Sequence, residues 1–504
     1  MRSPVAGPVA LLTAVLAGVA MAEGRGLRPG PGAALGAIVA LATAVVVRLG
    51  RPDPVRPARV AGALVLAGVG CAVLAAASTG RALDGARHSP LSAAVAGHRR
   101  ADVVVTLVGD PAATRFSARV LGRVDRFRAE GRRWRSAGRI VTVDATGPAA
   151  TRLVAAGAGD RLLLRGAFRP LDRFEEPARW RHAVGAFAAD DLASFRGPAD
   201  PLRRAALGVR STVARGVGPL PEPQRALVRG FLLGGATGLP DEVVADFRAA
   251  GLSHLVVVSG ENVAFVLVLV GPLLRRLPRP VRLVFALGVL TVFAATTRFE
   301  PSVLRASVMA ACALVAGAVG RPTSGLRLLV LAVAVLVAVD PFLVHSVGFR
   351  LSVAATVGIA VGARPIARRL PGPRALAEAV GVTVAAQLAV APVLVATFGS
   401  VPLVALPANL AAAPFVGPLT VSGLAGALLG GVVPLRLVGA VVGFPAWVGA
   451  SVVLAIASAS ARFPLEVGWP GLGLVVASGA GMFVVGRSRR ATWARARTAA
   501  PRPP

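Results

Sequence analysis

The sequence predicts a polytopic α-helical membrane protein with an inserted extracytoplasmic small β-barrel (OB-like) domain. Three observations carry that expectation. Of 504 residues, 55% are apolar, and most gather into runs near the about 20 residues that cross about 30 Å of hydrocarbon. The stretch 79–222 breaks this pattern, with 25 arginines, 14 acids and no run long enough to span. Elsewhere arginines cluster between apolar runs, in an order that assigns sides of a membrane.

Taken in order, residues 1–78 hold three transmembrane runs, Val5–Ala22, Pro31–Val47 and Val60–Ser78. The first also carries marks of a signal peptide, Arg2 and Ala20-Met21-Ala22, but two further spans follow at once. Residues 79–220 form the extracytoplasmic domain. Ala101–Gly109, Thr114–Gly122, Gly138–Ala145 and Asp160–Phe168 are β-rich and bounded by Gly, Pro or Asp. Four or five strands at this spacing suit a small barrel, of which the OB-like fold is one form. Pattern alone does not separate it from a sandwich.

Residues 221–251 are a linker with an amphipathic helix. Pro240-Asp241-Glu242 opens it, Val243, Val244 and Phe247 form its apolar stripe, and Gly251 ends it. Such a helix lies on a membrane surface or on a partner helix. The polytopic domain follows at 252–486, with spans near 252–274, 281–297, 301–319, 326–344, 348–363, 376–397, 437–461 and 470–485. Between them, 399–435 is interrupted by Pro407, Pro414 and Pro418. It is expected to hold one net crossing plus a re-entrant or broken piece, which is tolerated only inside protein or beside water. Residues 487–504 are a basic cytoplasmic tail.

Arginines at 48–59, 275–282, 321–327, 364–374 and 487–502 mark the cytoplasmic side. Both termini are then cytoplasmic and residues 79–251 extracytoplasmic.

All 56 basic residues are arginine. Without lysine there is no Walker A loop, no kinase strand lysine and no Schiff base. Any ATPase that drives this protein must be a partner. Cys71 and Cys312 sit in apolar runs and five histidines are scattered, so neither a disulfide framework nor a clustered zinc site is expected. No cofactor, metal or catalytic residue is assigned.

Polar residues inside spans are costly, about 2.5–3.5 kcal/mol for a charge, and usually functional. The densest group is Gly251-Leu-Ser-His-Leu-Val-Val-Val-Ser-Gly-Glu-Asn262. On a continuous helix, His254, Ser259, Glu261 and Asn262 share an arc of roughly 160°, unless Gly260 breaks it. A polar seam between helices, a hydrated path, or a Ser259–His254 nucleophile would each use them, though the five-residue offset suits the last poorly. In the second group, Pro301 starts a helix on which Ser302 and Arg305 share a face. Arg305 would pair with Glu300 or Glu261, or meet a passing phosphate. Gln387 and Asn409 are lesser pathway residues; Asp340 reads as a cap and Arg350 as a snorkelling end. In the external domain Arg126, Arg128, Arg132, Arg133, Trp134 and Arg135, with Phe127, interleave charge and rings as single-strand binders do, with a solvated hairpin tip as the alternative. Arg169–His182, with Phe174 and Trp180, is a weaker stretch of the same kind.

Several segments together resemble the ComEC-type DNA-uptake channels of bacterial competence. They are Arg225-Ala-Leu-Val to Leu239-Pro-Asp-Glu, Phe247-Arg-Ala-Ala-Gly-Leu-Ser-His-Leu-Val-Val-Val-Ser-Gly260 and Pro301-Ser-Val-Leu-Arg-Ala-Ser-Val-Met309. Gly348-Phe-Arg-Leu-Ser-Val-Ala-Ala-Thr356 and Phe398-Gly-Ser, followed by Asn409, complete the set. The resemblance runs over nearly the whole chain. It implies a channel passing single-stranded DNA inward through membrane lipid, with a DNA receptor, a separate nuclease and a cytoplasmic ATPase as partners, and it leaves room for a homo-oligomer. Glu261 and Arg350 stand where small, apolar or uncharged residues are more familiar. The His-x-His-x-Asp-His motif of a metallo-β-lactamase-like domain is not in this sequence. A transporter for a small anionic or lipid-like solute and an intramembrane hydrolase using Ser259 are the rival readings.

Overall fold

The computed structural model describes residues 88–469, apart from short breaks at 114–116, 136–137, 174, 198–199, 237, 322 and 464, together with parts of 69–84 and Val19. The first two expected spans, except for Val19, the one at 470–485 and the basic tail lie outside the described residues.

A short helix, α1 (Pro90–Ala96), capped by Ser89, leads into a closed barrel. Its long strands are β1 (Arg100–Leu107), β3 (Ser117–Ala129), β5 (Ile140–Thr146), β6 (Arg161–Arg169) and β7 (Ala183–Arg196). β1 pairs antiparallel with β3 and β6, β3 with β5, and β6 with β7. β5 and β7 run parallel and close the ring. With α2 (Gly147–Val154) inserted before β6, this is a five-stranded Greek-key barrel of OB type, not a sandwich. Alternation builds it: β1 and β6 bury every second residue, as one inward face requires. Phe127, Phe168 and Phe187 meet edge to face at its centre, 5.5 and 4.9 Å between centroids. Gly166 is required by the closure, since a Cβ there would stand 1.9 Å from the Ala188 carbonyl oxygen. Beyond the expected strands are β7, β4 (Arg132–Arg135) and the two-residue β2 (Ala112–Ala113).

The helical body comprises α3 (Pro201–Val217), α4 (Gln224–Leu233), α5 (Asp241–Ala249), α6 (Ser253–Val256), α7 (Glu261–Arg276), α8 (Arg279–Thr296), α9 (Pro301–Ala318), α10 (Gly325–Val339), α11 (Val347–Ala367), α12 (Arg374–Phe398), α13 (Ala405–Gly430) and α14 (Arg436–Ala461). Six of these described helices, α8, α9, α11, α12, α13 and α14, are long and apolar enough to cross a membrane. Val284, Leu437 and Val441 on their outer faces are exposed, as lipid contact demands. α10 is equally apolar but has only 15 residues.

Two expectations are corrected. The span drawn at 252–274 is two helices, α6 and α7, separated by non-helical residues 257–260. The stretch 399–435 holds one helix, α13, with Pro414 and Pro418 inside it, and no second helical piece of crossing length among its residues. Close neighbours compensate for the proline breaks. α13 and α14 pack backbone on backbone through Gly426, Gly430, Gly439 and Gly443. A Cβ on Gly439 would fall 2.2 Å from Gly430 N, and one on Gly426 2.5 Å from Gly443 Cα. Small residues four apart permit this approach. The amphipathic α5 takes the second of its two expected positions: it lies on α14, with Phe247 buried. It stops at Gly251, where φ is +68°.

The barrel sits at one end of the helices. The β1–β3 loop meets the α8–α9 turn through Asp110 and Arg298. The β6–β7 loop meets the α10–α11 turn through His182 and Asp340, 2.8 Å apart. The arginine clusters at 275–282, 321–327 and 364–374 lie at the opposite ends of the same helices.

Candidate functional site

Where the helix breaks between α6 and α7, four backbone positions lose their helical partners and must find others. Ser302 Oγ donates to the Val258 carbonyl at 2.9 Å. Ser259 Oγ donates to Asn262 Oδ1 at 3.3 Å, and Asn262 Nδ2 donates to the Phe231 carbonyl at 2.7 Å. Asn262 is 4% exposed. Gly260 turns the chain against α9 so closely that a Cβ would lie 2.7 Å from Arg305 Nη2. The guanidinium therefore lies beside the break, 8% exposed. Its Nε donates to Ser352 Oγ at 2.9 Å and its Nη1 to Met309 Sδ at 3.0 Å.

The expected partner of Arg305 is not there. Among the described residues no carboxylate lies within ion-pair distance of it, and Glu300 and Glu261 are both elsewhere. Glu261 is exposed in the first turn of α7, where the positive end of the helix dipole favours it. A buried guanidinium held only by a hydroxyl and a thioether keeps most of its donors for another acceptor. The structure thus joins Ser259, Asn262, Ser302 and Arg305. His254 is exposed on α6, beyond the break, and no bond links it to Ser259, so no nucleophile–base pair forms. Asn409 Nδ2 donates to Ala405 of its own helix at 2.7 Å. Gln387 is half-buried on α12 and joins no part of the cluster.

On the barrel, β3 and β4 form a hairpin turning at Glu130-Gly131, both at positive φ. Arg126 pairs with Arg135, Phe127 with Trp134, Arg128 with Arg133 and Ala129 with Arg132. Alternation sends Arg126 and Arg128 outward, and Arg132 and Arg133 at the tip are exposed. Phe127 is buried and Trp134 stacks on it at 6.5 Å and 18°. The two rings therefore brace the hairpin against the core; Phe127 is not an open platform for a base. Neighbouring acids are already occupied: Asp125 by Arg161, Asp102 by Arg165, Asp190 by Arg100 and Glu130 by Arg99. Arg126, Arg128, Arg132 and Arg133 have no ion pair among the described residues.

Of the groups that seat the barrel on the helices, Trp180 and His182 belong to the basic–aromatic stretch 169–182, while Asp110 and Arg210 carry no signal in the sequence. Asp110 takes Arg210 at 2.9 Å and also Arg298. Burial and the neighbouring Arg298 charge lower the Arg210 guanidinium to about 10, against the pull of Asp110. Trp180 stacks on His345 with centroids 3.8 Å apart and meets Phe342 edge-on. At the side of the barrel Arg119 and Arg169 hold Asp144 and Glu175 together. Burial opposes ionisation of Glu175, yet hydrogen bonds from Arg169 and its neighbours hold its carboxyl at about 2; burial and the adjacent Glu175 raise Asp144. Except for Arg169 and Glu175, six residues apart, these partners lie far away in sequence, so no local spacing announces them.

Six crossing-length helices among the described residues, a small OB-type barrel at one end and a buried arginine without an ion pair at a broken helix define a polytopic membrane protein with a small barrel domain. A family model described as Competence protein matches residues 231–491, more than half of the chain, and the chain belongs to that family. It is a membrane protein with a role in competence, the uptake of DNA. Neither the curated proteins nor the solved structures contained a match.

Proposed function

We propose that this protein is the inner-membrane channel through which single-stranded DNA passes during natural transformation. The observation that carries the reading is the group of four exposed arginines without ion pairs on the β3–β4 hairpin, Arg126, Arg128 and Arg133 on its outward face and Arg132 at its tip, displayed at the helix ends opposite the arginine loops. Those loops favour the cytoplasm, which makes the barrel extracytoplasmic, the entry side for DNA, and both termini cytoplasmic. The reading divides the chain at 1–78, 79–220, 221–251, 252–486 and 487–504, with α3, at the end of the second part, already packed on α13. A polyanion cannot enter hydrocarbon, and a row of guanidiniums raises its local concentration and tracks its phosphates without reading bases. Inside the helices, Arg305 with Ser259, Asn262 and Ser302 faces the strand where the backbone is irregular, as backbone at membrane depth is when it lines a wet path. A receptor that delivers the strand, a nuclease that removes its complement and a cytoplasmic ATPase that pulls are the partners this role requires. A small-solute transporter would use Arg305 but has no use for the hairpin row.

Oligothymidylate binding to the whole protein in nanodiscs tests this. Replacing Arg126, Arg128, Arg132 and Arg133 by glutamine should reduce the slope of log K against log salt by about 3, at about 0.7 per lost contact. Salt-insensitive binding by the wild-type protein would remove the reading.

A further inference from the structure

A cavity of about 330 Å³ opens at the base of the hairpin, lined by Arg123, Gly138, Arg139, Ile140 and His182. It lies where barrel and helices meet, because His182 holds Asp340 across that seam and its ring stacks on Phe342, centroids 4.6 Å apart. The position is set by the strand's irregularity. β1 and β3 slip register between Val104 and Val105, opposite Asp125. The extra residue keeps Arg123 on the outer face with Arg126 and Arg128, although simple alternation would place positions 123 and 126 on opposite faces. One edge of β3 therefore carries a continuous arginine line from the hairpin to the cavity.

The charge in the cavity lacks a counter-ion. Arg139 Nε is buried with no hydrogen-bond partner. Neither Arg139 nor Arg123 has an ion pair among the described residues. Of the acids nearby, Asp125 is engaged by Arg161 and Thr106 and Asp340 by His182. Arg203, on α3, has only Asp200 at 3.8 Å, and burial together with the Arg123 charge depresses its pKa. An orphaned buried N–H is costly, and positive charges gathered without acids call for an anion that accepts from several donors at once. A tetrahedral phosphate does this through its oxygens.

We propose that this cavity is a phosphate-binding site, formed by Arg123 and Arg139 beside His182, that takes a backbone phosphate of the single strand as it leaves the hairpin for the helices. The site rests on the channel reading and gives it a handover point. It explains why the barrel is docked through its β6–β7 loop: the seam that fixes the barrel is also one wall of the site.

Arginine-directed labelling of the wild-type protein with phenylglyoxal, read by peptide mass mapping, tests the site without any variant. In phosphatidylcholine nanodiscs with oligothymidylate at about ten times its Kd, labelling of Arg123 and Arg139 should slow about tenfold, as mass action leaves about one site in eleven open. Equal protection by inorganic phosphate alone, or by phosphatidylglycerol nanodiscs without DNA, would assign the site to free phosphate or to lipid headgroups and overturn the proposal. Protection of Arg132 and Arg133 with Arg123 and Arg139 still reactive removes this site and leaves the channel reading standing. No protection anywhere removes both. The pair R123Q/R139Q should lower the salt slope by about 1.4, while R123K/R139K, which keeps the charge, should retain it; an unchanged slope in the glutamine pair also refutes the site.

Discussion

Asp110→Asn removes the charge that fixes the barrel over the helices while keeping the shape of the loop. Asp110 Oδ1 accepts from Ala158 N at 3.0 Å, a bond that asparagine retains. What is lost is the carboxylate between Arg210 and Arg298, whose side chains are 17% and 19% exposed against 31% for Asp110. Breaking a fully buried pair costs about 3–5 kcal/mol and an exposed one about 0–1. This group lies between those limits, so about 2 kcal/mol is the expected loss. Two guanidiniums would then repel each other without a counter-charge. Global unfolding of such a protein is not two-state, so the readout is local. Hydrogen exchange in the whole protein in nanodiscs should accelerate about 30-fold around 108–113 and 207–213, the factor that about 2 kcal/mol represents. Adding Arg298→Gln to Asp110→Asn should restore part of the protection, because the repulsion goes with it. Unchanged exchange in the Asp110→Asn protein would show that the seam is held by the contacts of Trp180 and His182 with Asp340, Phe342 and His345.

Other predictions concern separate parts of the fold. The Glu175 carboxyl lies at about 2, below its ordinary 4.5, so it stabilises the barrel above pH 4.5 and that contribution fades as pH falls toward 2. Asp144, raised, acts in the opposite sense; Glu175→Gln should flatten acid destabilisation of the barrel followed by near-ultraviolet circular dichroism, and an unaltered acid profile would contradict the assigned ion cluster. Gly439→Leu should separate α13 from α14 and leave little monodisperse protein after detergent extraction, since even a Cβ has no room there; normal extraction would refute the backbone contact. Gly260→Ala should displace Arg305 or Ala306, whose nearest atoms would lie 2.7 and 3.1 Å from the new carbon, and lower DNA internalisation with the protein still inserted; full internalisation would show that the break tolerates a side chain.

The architecture was largely legible because its signals are local. Apolar runs marked the helices, alternation marked β1, β5 and β6, and Pro240-Asp241-Glu242 with Gly251 bounded α5. Position 257–260 was harder: Val256, Val257 and Val258 are as apolar as any helix, and only Gly260 hinted that tertiary bonds from Ser302 and Asn262 would replace helical ones. Pro407, Pro414 and Pro418 pointed to a broken piece, but close packing on α14 keeps α13 whole. Of the candidate site, Ser259, Asn262, Ser302 and Arg305 came together as polar residues in spans should, whereas His254 and Glu261 face outward. The interleaved rings of the hairpin looked like base platforms, yet period-two alternation turns Phe127 into the core and leaves only the arginines outside. Ser352 beside Arg305, Asp110 beside Arg210 and Arg298, and the cavity at Arg123 and Arg139 depend on closure of the barrel and docking of loops, which no short window of sequence contains.

DNA uptake by intact cells tests the central claim most directly. A strain lacking this gene, complemented with the wild-type or the Arg305→Ala protein, is given end-labelled DNA, and surface-bound label is separated from nuclease-resistant internal label. The account predicts that Arg305→Ala leaves membrane insertion and surface binding intact while internal single-stranded label is lost. Internal label at the wild-type level in Arg305→Ala cells would contradict it.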